Sequence, residues 1–300
     1  MSHFSVFVTG DDVEKQLAPF QENNMGTCPS EYLTFHDMHD DCLQQWEEGD
    51  RDGIPFKKRF ATFEAFVDSE FSYEQNHDTG RYGYTENPNA KWDWYQIGGR
   101  WSGELMLLRD AEADYDPVRR SDTGRAFVDS ALRGDIDFPA MEAALHAGAL
   151  AGWHRTLETT LGIMSLEALH AIRRWDEVRA DMTARGASID DARSVYWGQT
   201  GVPELRDALL KADLWSWDLS PEDIAAMLSR VPEGYAAERA RQGWLPFALL
   251  DDGEWVERGT MAMFGIAIDE KDGETWVATI RERILGLPAD MPITIVECHI

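Results

Sequence analysis

Residues 87–105 read N-P-N-A-K-W-D-W-Y-Q-I-G-G-R-W-S-G-E-L. Residues 92–97 alternate as a strand does, Gly98-Gly99 can take positive φ, and residues 100–105 return. A type I′ turn needs positive φ at both central positions, so the pattern predicts a two-residue β-hairpin. In that register Ile97 faces Arg100, Gln96 faces Trp101, Tyr95 faces Ser102 and Trp94 faces Gly103. Opposed residues share a face of the sheet. One face then carries Trp92, Trp94, Gln96, Trp101 and Leu105, and its aromatic stripe makes it the expected core side. On this reading Trp94→Ala costs about 3–5 kcal/mol. The other face carries Lys91, Asp93, Tyr95, Ile97, Arg100, Ser102 and Glu104, and is either solvated or the wall of a pocket. As a pocket wall it offers Arg100 to an anion, Tyr95 to a hydroxyl and Asp93 to an amine.

Lys91, Asp93, Tyr95, Arg100, Trp101 and Ser102 are therefore candidate ligand-binding residues. Arg81 and Tyr84 join them from the polar run 75–91. A loop of that length inside a compact domain is usually functional or disordered, and this one is expected as a lid or pocket wall.

Upstream, residues 4–9 alternate F-S-V-F-V-T with Phe4, Val6 and Val8 inward, and a short acidic-capped helix follows to Leu17. Residues 36–48 read as a helix carrying His36, His39 and Cys42 at three-residue spacing. That spacing matches no zinc pattern, and no metal site is expected there. Downstream of 110 the chain turns helical, with helices expected over 139–150, 153–161, 165–183, 203–210 and 221–228. Ser220-Pro221-Glu222-Asp223 is a start signal, with serine as cap, proline at the first position and acids in the first turn. The last part is β-rich again. Asp252-Gly253 marks a hairpin between 247–250 and 255–258. A strand is expected over 260–268, a helix carries Trp276, Val277, Ile280 and Ile284, and residues 293–300 form a closing strand.

These elements predict an α+β fold: an antiparallel sheet with helices on one face, ferredoxin-like in character, plus a helical insertion. Residues 1–109 and 244–300 form the two parts of the sheet domain, and 110–243 the insertion. Terminal strands are expected in one sheet, since chain ends often lie close together. If they pair, His3 and Ser5 gather with Glu297 and His299 on one face. Histidine ordinarily titrates near pH ~6.5, so such a group is either a solvated strand end, a proton relay or a metal site.

The formal net charge of −27 opposes direct binding of nucleic acid, which rests on Lys and Arg neutralising phosphates. Three well-separated cysteines argue against a disulfide framework and for a reducing cytoplasm. The N-terminus lacks the pattern of a signal peptide, and no apolar run approaches the roughly 20 residues of a membrane helix. Phosphate loops, nucleophile elbows and paired zinc cysteines are absent, and no pattern names a cofactor.

The stretch E-N-P-N-A-K-W-D-W-Y-Q-I-G-G-R-W resembles an uncharacterised family of tailed phages and bacteria. M-S-H-F-S-V-F-V, Q-L-A-P-F-Q-E-N-N-M-G, W-V-E-R-G-T-M-A-M-F-G with D-E-K-D, and I-V-E-C-H-I carry the same resemblance. The helical middle lies outside it. The resemblance implies a phage or prophage accessory role in the host cytoplasm and transfers no catalytic residue. Three readings follow. The first is a counter-defence or other accessory protein that binds a small phosphorylated, nucleotide-like ligand or a host protein. The second is an enzyme of nucleotide metabolism or modification using Asp93, Tyr95 or His299. The third is an acidic decoy of a host protein that binds nucleic acid.

Overall fold

The computed structural model describes residues 2–50, 54–216, 219–261 and 266–300. The fold is α+β. The chain divides into two units, one formed by residues up to Ile136 together with Pro246–Ile300, the other by Asp137–Leu245. The helical unit thus begins at Asp137 rather than 110. The run after 110 contributes three short strands, Arg119–Arg120, Ala126–Val128 and Ser130–Leu132, to the first unit.

The first unit is built on a six-stranded sheet in which the N-terminal strand His3–Thr9 lies between Ala248–Asp251 and the terminal strand Pro292–His299. The terminal strands pair antiparallel from His3↔His299 to Thr9↔Ile293, as expected. The sheet is mixed, because His3–Thr9 runs parallel to Ala248–Asp251. Parallel neighbours need a long crossover connection, and the chain between these two strands contains the entire helical unit. Alternation along His3–Thr9 separates two faces. Phe4, Val6 and Val8 join Leu17, Trp92, Ala248, Leu250, Val296 and Cys298 in one buried cluster. Phe7, with Leu249 and Ile295 beside it, is buried on the opposite face. That face ends in His3, Ser5, Glu297 and His299.

The predicted hairpin of 92–105 does not form. Trp94–Ile97 is a strand, but it pairs with the terminal strand, in the register Trp94↔His299, Tyr95↔Cys298, Gln96↔Glu297 and Val296↔Ile97. Leu105–Met106 pairs instead with Ala126–Val128 in a separate three-stranded sheet. Gly98 has φ 70 and ψ −71, which is not a type I′ conformation, and a short 3-10 turn follows at Gly99–Trp101.

The side-chain faces are correspondingly exchanged. Tyr95, opposite Cys298, packs against the buried cluster and meets Trp92 edge-on at 5.1 Å, while Trp94 points to the histidine face. Trp92 precedes the strand and is inward because its chain is bridged to Gln21, with its indole Nε1 donating to the Leu17 carbonyl at 3.1 Å.

Other local expectations need adjustment. The polar run 75–91 is no open lid. Glu74–Gln75 and Tyr82–Glu86 pair as a hairpin, with Tyr82–Glu86 flanked on its other side by Thr34–Asp37. His36 lies on that strand, and the helix begins only at His39, so His36, His39 and Cys42 share no helix face. Asp252-Gly253 turns the expected hairpin with φ 50 and 76. The strand predicted over 260–268 is instead a pairing of Thr260–Met261 with Ala267–Ile268, and 262–265 lie outside the described residues.

In the helical unit the two helices expected over 139–161 are one, Phe138–Leu161, since an interior glycine costs only about 1 kcal/mol and packing overrides it. The helix expected over 165–183 is two, Leu166–His170 and Trp175–Ala184. The break is held by Arg173 N–H on Gln199 Oε1 at 2.8 Å and Trp175 N–H on Glu222 Oε1 at 2.7 Å. Ser220 caps Pro221–Leu228 with Asp223 in a reciprocal capping box. Trp153, Leu169, Leu205, Leu209, Ile224 and Leu228 form this unit's core. Among the described residues, no helix is long and apolar enough to cross a membrane. The three cysteines are free and buried.

Trp92 is 5% exposed and Trp94 46% exposed. Denaturant melts should therefore show Trp92→Ala losing about 3–5 kcal/mol, the cost of emptying a large aromatic site. Trp94→Ala should stay within about 1 kcal/mol of wild type, as surface substitutions do.

Candidate functional site

The site is the polar end of the sheet face on which His3, Glu297, His299 and Trp94 emerge from three adjacent strands. The register places His3 directly opposite His299, and their rings meet edge-on with centroids 4.8 Å apart. Trp94 stands beside both, its ring 6.3 Å from His3 and 6.5 Å from His299.

Each imidazole has its own carboxylate. His299 Nδ1 is 2.6 Å from Asp93 Oδ1, and the Asp93 backbone N–H donates to the His299 carbonyl at 2.9 Å, so this pair is fixed twice. Asp93 Oδ2 accepts from Asn24 Nδ2 at 3.2 Å. His3 Nδ1 is 2.6 Å from Glu297 Oε1, off the line of a hydrogen bond.

Glu297 is only 3% exposed and is compensated by Arg100, whose Nε lies 3.1 Å from Oε1 and whose backbone N–H donates to Oε2 at 2.8 Å. A buried carboxylate needs such partners, because leaving its charge unpaired is strongly unfavourable. All four carboxylate oxygens of Asp93 and Glu297 are thus engaged within the protein. His299 Nε2 is buried and has no protein partner. Nearby, burial and then the charge of Asp93 push the Glu22 carboxyl above its ordinary range, with His299 opposing. The thiol of Cys298, between Glu297 and His299 in sequence, lies on the opposite, core face, and burial pushes its titration up.

The loop carrying Arg100 is set by two carboxylates. A Cβ on Gly99, at φ 54, would fall 2.0 Å from Glu297 Oε2. One on Gly98 would fall 2.4 Å from Asp129 Oδ2. Asp129 also accepts from Gly103 N–H at 2.5 Å and from Ser102 Oγ at 3.0 Å. The glycine pair therefore serves close approach of side-chain oxygens.

Of the residues singled out from sequence, Asp93 and Arg100 join the two histidines. Lys91 is drawn away to Glu257 at 2.7 Å, and Tyr95 is in the core, its phenol pushed up by burial. Ser102 is held by Asp129, and Trp101 closes the turn by donating its N–H to the Gly98 carbonyl. Tyr84 belongs to another sheet and Arg81 lies just before its strand; there Arg81 pairs with Asp37 and Asp40 and Tyr84 stacks on His36. Trp94 faces the histidines rather than the core expected of it, and Glu22 and Asn24 carry no periodic signal that marks them.

Among the described residues, no group of three or more His, Cys, Asp or Glu is arranged to hold a metal ion. Comparison with protein-family models, curated proteins and solved structures gives no match.

Two outcomes test the site's construction. Gly99→Ala should lower stability by at least about 1–2 kcal/mol, the cost of a left-handed L-residue, and should also displace Glu297. Its signature is a shift of the His3 ring resonances in an NMR spectrum of the folded variant. Glu22→Gln tests the raised carboxyl. The folded state holds this proton more tightly than the unfolded chain, so wild-type stability falls as pH rises through the window above the ordinary value near ~4.3. Melts should show the variant more stable than wild type at neutral pH, with the difference closing below that window.

Proposed function

We propose that the protein is a general acid–base enzyme acting on a small phosphorylated, nucleotide-like ligand at this end of the sheet. The observation that carries the reading is the pair of imidazoles in edge contact, each beside its own carboxylate. With Nδ1–H donating to Asp93, His299 keeps its lone pair on Nε2, the atom that has no partner inside the protein. A second imidazole alongside supplies the complementary acid or base, and one positioned group of this kind contributes about 10²–10⁴-fold to a rate.

Asp93 orients the His299 ring, Glu297 lies against His3, and neither carboxylate has an oxygen to spare for a ligand. What is open to a ligand is the exposed Trp94 indole and the Arg100 guanidinium; His299 Nε2 is buried next to Trp94, and a ligand must displace the groups over it to reach it. An indole face stacks a base with about 1–3 kcal/mol, and a guanidinium fork matches phosphate oxygens. Binding alone, of a small molecule or a host protein, requires no oriented imidazole, so the arrangement supports turnover over binding. The phage or prophage accessory role, counter-defence included, rests on the sequence resemblance.

The test is a panel of nucleotides and nucleotide derivatives, with binding read by thermal shift and products by phosphorus NMR. Trp94→Ala should weaken binding by about 1–3 kcal/mol. His299→Ala should retain binding and lose about 10²–10⁴-fold in turnover. A ligand that depends on Trp94 for binding, yet is never converted by wild type, would refute the acid–base reading.

A further inference from the structure

We infer that the substrate is a small phosphodiester carrying one negative charge, hydrolysed by water; the inference rests on the acid–base reading and adds the substrate class. The first argument is the missing nucleophile. Cys298 faces the core, Ser5 Oγ accepts the Phe247 N–H at 3.3 Å, and Ser102 Oγ is held by Asp129 at 3.0 Å. The groups gathered at the rings are imidazole, carboxylate, amide, indole and guanidinium. Among the described residues these groups include no hydroxyl or thiol left to attack, and with both rings given to proton transfer and both carboxylates engaged the attacking oxygen is water's.

The second argument is the use for two imidazoles. One neutral ring takes a proton from water as the water oxygen bonds to phosphorus. The bond from phosphorus to the ester oxygen breaks with its electron pair, and that oxygen takes a proton from the other ring, which starts protonated. Atoms, protons and charge balance, and the two rings have exchanged roles. An alkoxide is a poor leaving group and needs this proton. A phosphoanhydride leaves as a stabilised phosphate and does not.

Charge makes the third argument. Arg100, already beside Glu297, and the one ring that starts protonated balance the two carboxylates of Asp93 and Glu297, so the cluster holds no surplus positive charge for a ligand, in a chain of net charge −27. A dianionic monoester, a triphosphate or a nucleic-acid strand would bring more negative charge onto this surface. A diester brings the least. Geometry sets the size. With centroids 4.8 Å apart the rings admit nothing between them, so the phosphorus lies across both, next to a base stacked on Trp94.

The experiment uses the full chain and a nucleoside 5′-methyl phosphate, a nucleoside 2′,3′-cyclic phosphate, a 3′,5′-cyclic nucleotide and a dinucleoside monophosphate, all with alkoxide leaving groups. p-Nitrophenyl phosphate, a nucleoside triphosphate and an RNA oligomer are the contrasting substrates. Reactions run in oxygen-18 water, with products read by phosphorus NMR and mass spectrometry. The expected result is cleavage of at least one diester at kcat/KM about 10²-fold or more above any contrasting substrate, with one heavy oxygen entering the phosphate. His3→Gln and His299→Gln, checked by melts as folded, should each lose at least about 10²-fold; the matching alanine variants serve if either glutamine variant fails to fold.

Histidine-dependent turnover confined to the monoester, the triphosphate or RNA would overturn the diester assignment and leave the acid–base reading intact. Diester cleavage unchanged in both histidine variants would overturn both. Failure of a natively folded protein to cleave any of the four diesters would overturn the inference.

Discussion

The antiparallel pairing of His3–Thr9 with Pro292–His299 is the constraint on which the rest of the first unit depends. It makes the two ends of the sequence central strands, buried on both faces, with the remaining strands added outward from them. It also fixes what each face holds. Side chains alternate with a period of two, so a slip of one residue would exchange the faces. Were the terminal strand to slip, His299 and Glu297 would turn towards Phe4, Val6 and Trp92, and an unpaired carboxylate in that cluster would be strongly disfavoured. The register that closes the core is therefore the one that sets His3 against His299.

Much of this was legible in sequence. The alternation of Phe4, Val6 and Val8 marked a strand with a buried face, and the same pattern at residues 293–300 marked its partner. Juxtaposing His3, Ser5, Glu297 and His299 needed only the assumption that the strands pair. The Asp252-Gly253 turn and the Ser220 cap were readable because each is a local signal with a local cause.

The tryptophan stretch departs from the expected hairpin for a physical reason. Positive φ at Gly98 and Gly99 is what a type I′ turn needs, and the sequence does show two residues able to adopt it. The same residue type is also required wherever another group approaches the backbone too closely for a Cβ. Here the approaching groups are the carboxylates of Asp129 and Glu297, and Glu297 lies almost two hundred residues away in sequence. No local pattern separates these two uses. Once the hairpin was assumed, its parity assigned Trp94 to the core. In the fold, parity is set by the terminal strand. Arg81 and Tyr84 stand apart from the histidine cluster: their partners Asp37, Asp40 and His36 lie in a strand and a helix start that the sequence presents as one helix.

Glu297 joins the stability of the sheet to the chemistry of its end. Its carboxylate is almost fully buried, holds the backbone of the Arg100 turn and the Arg100 side chain, and lies against the His3 ring. Burying a carboxylate is tolerable only when its oxygens are engaged and its charge is balanced, and Arg100 does both while its side chain stays largely in solvent. The guanidinium can therefore turn its outer nitrogens to a ligand without leaving Glu297. Lysine in its place would keep the charge and the backbone N–H but lose the fork, since an ammonium is a point charge rather than a planar array of donors. In a chain with so large an excess of acid, one arginine thus compensates a buried carboxylate while most of its side chain stays in solvent, which is what the proposed anion contact requires.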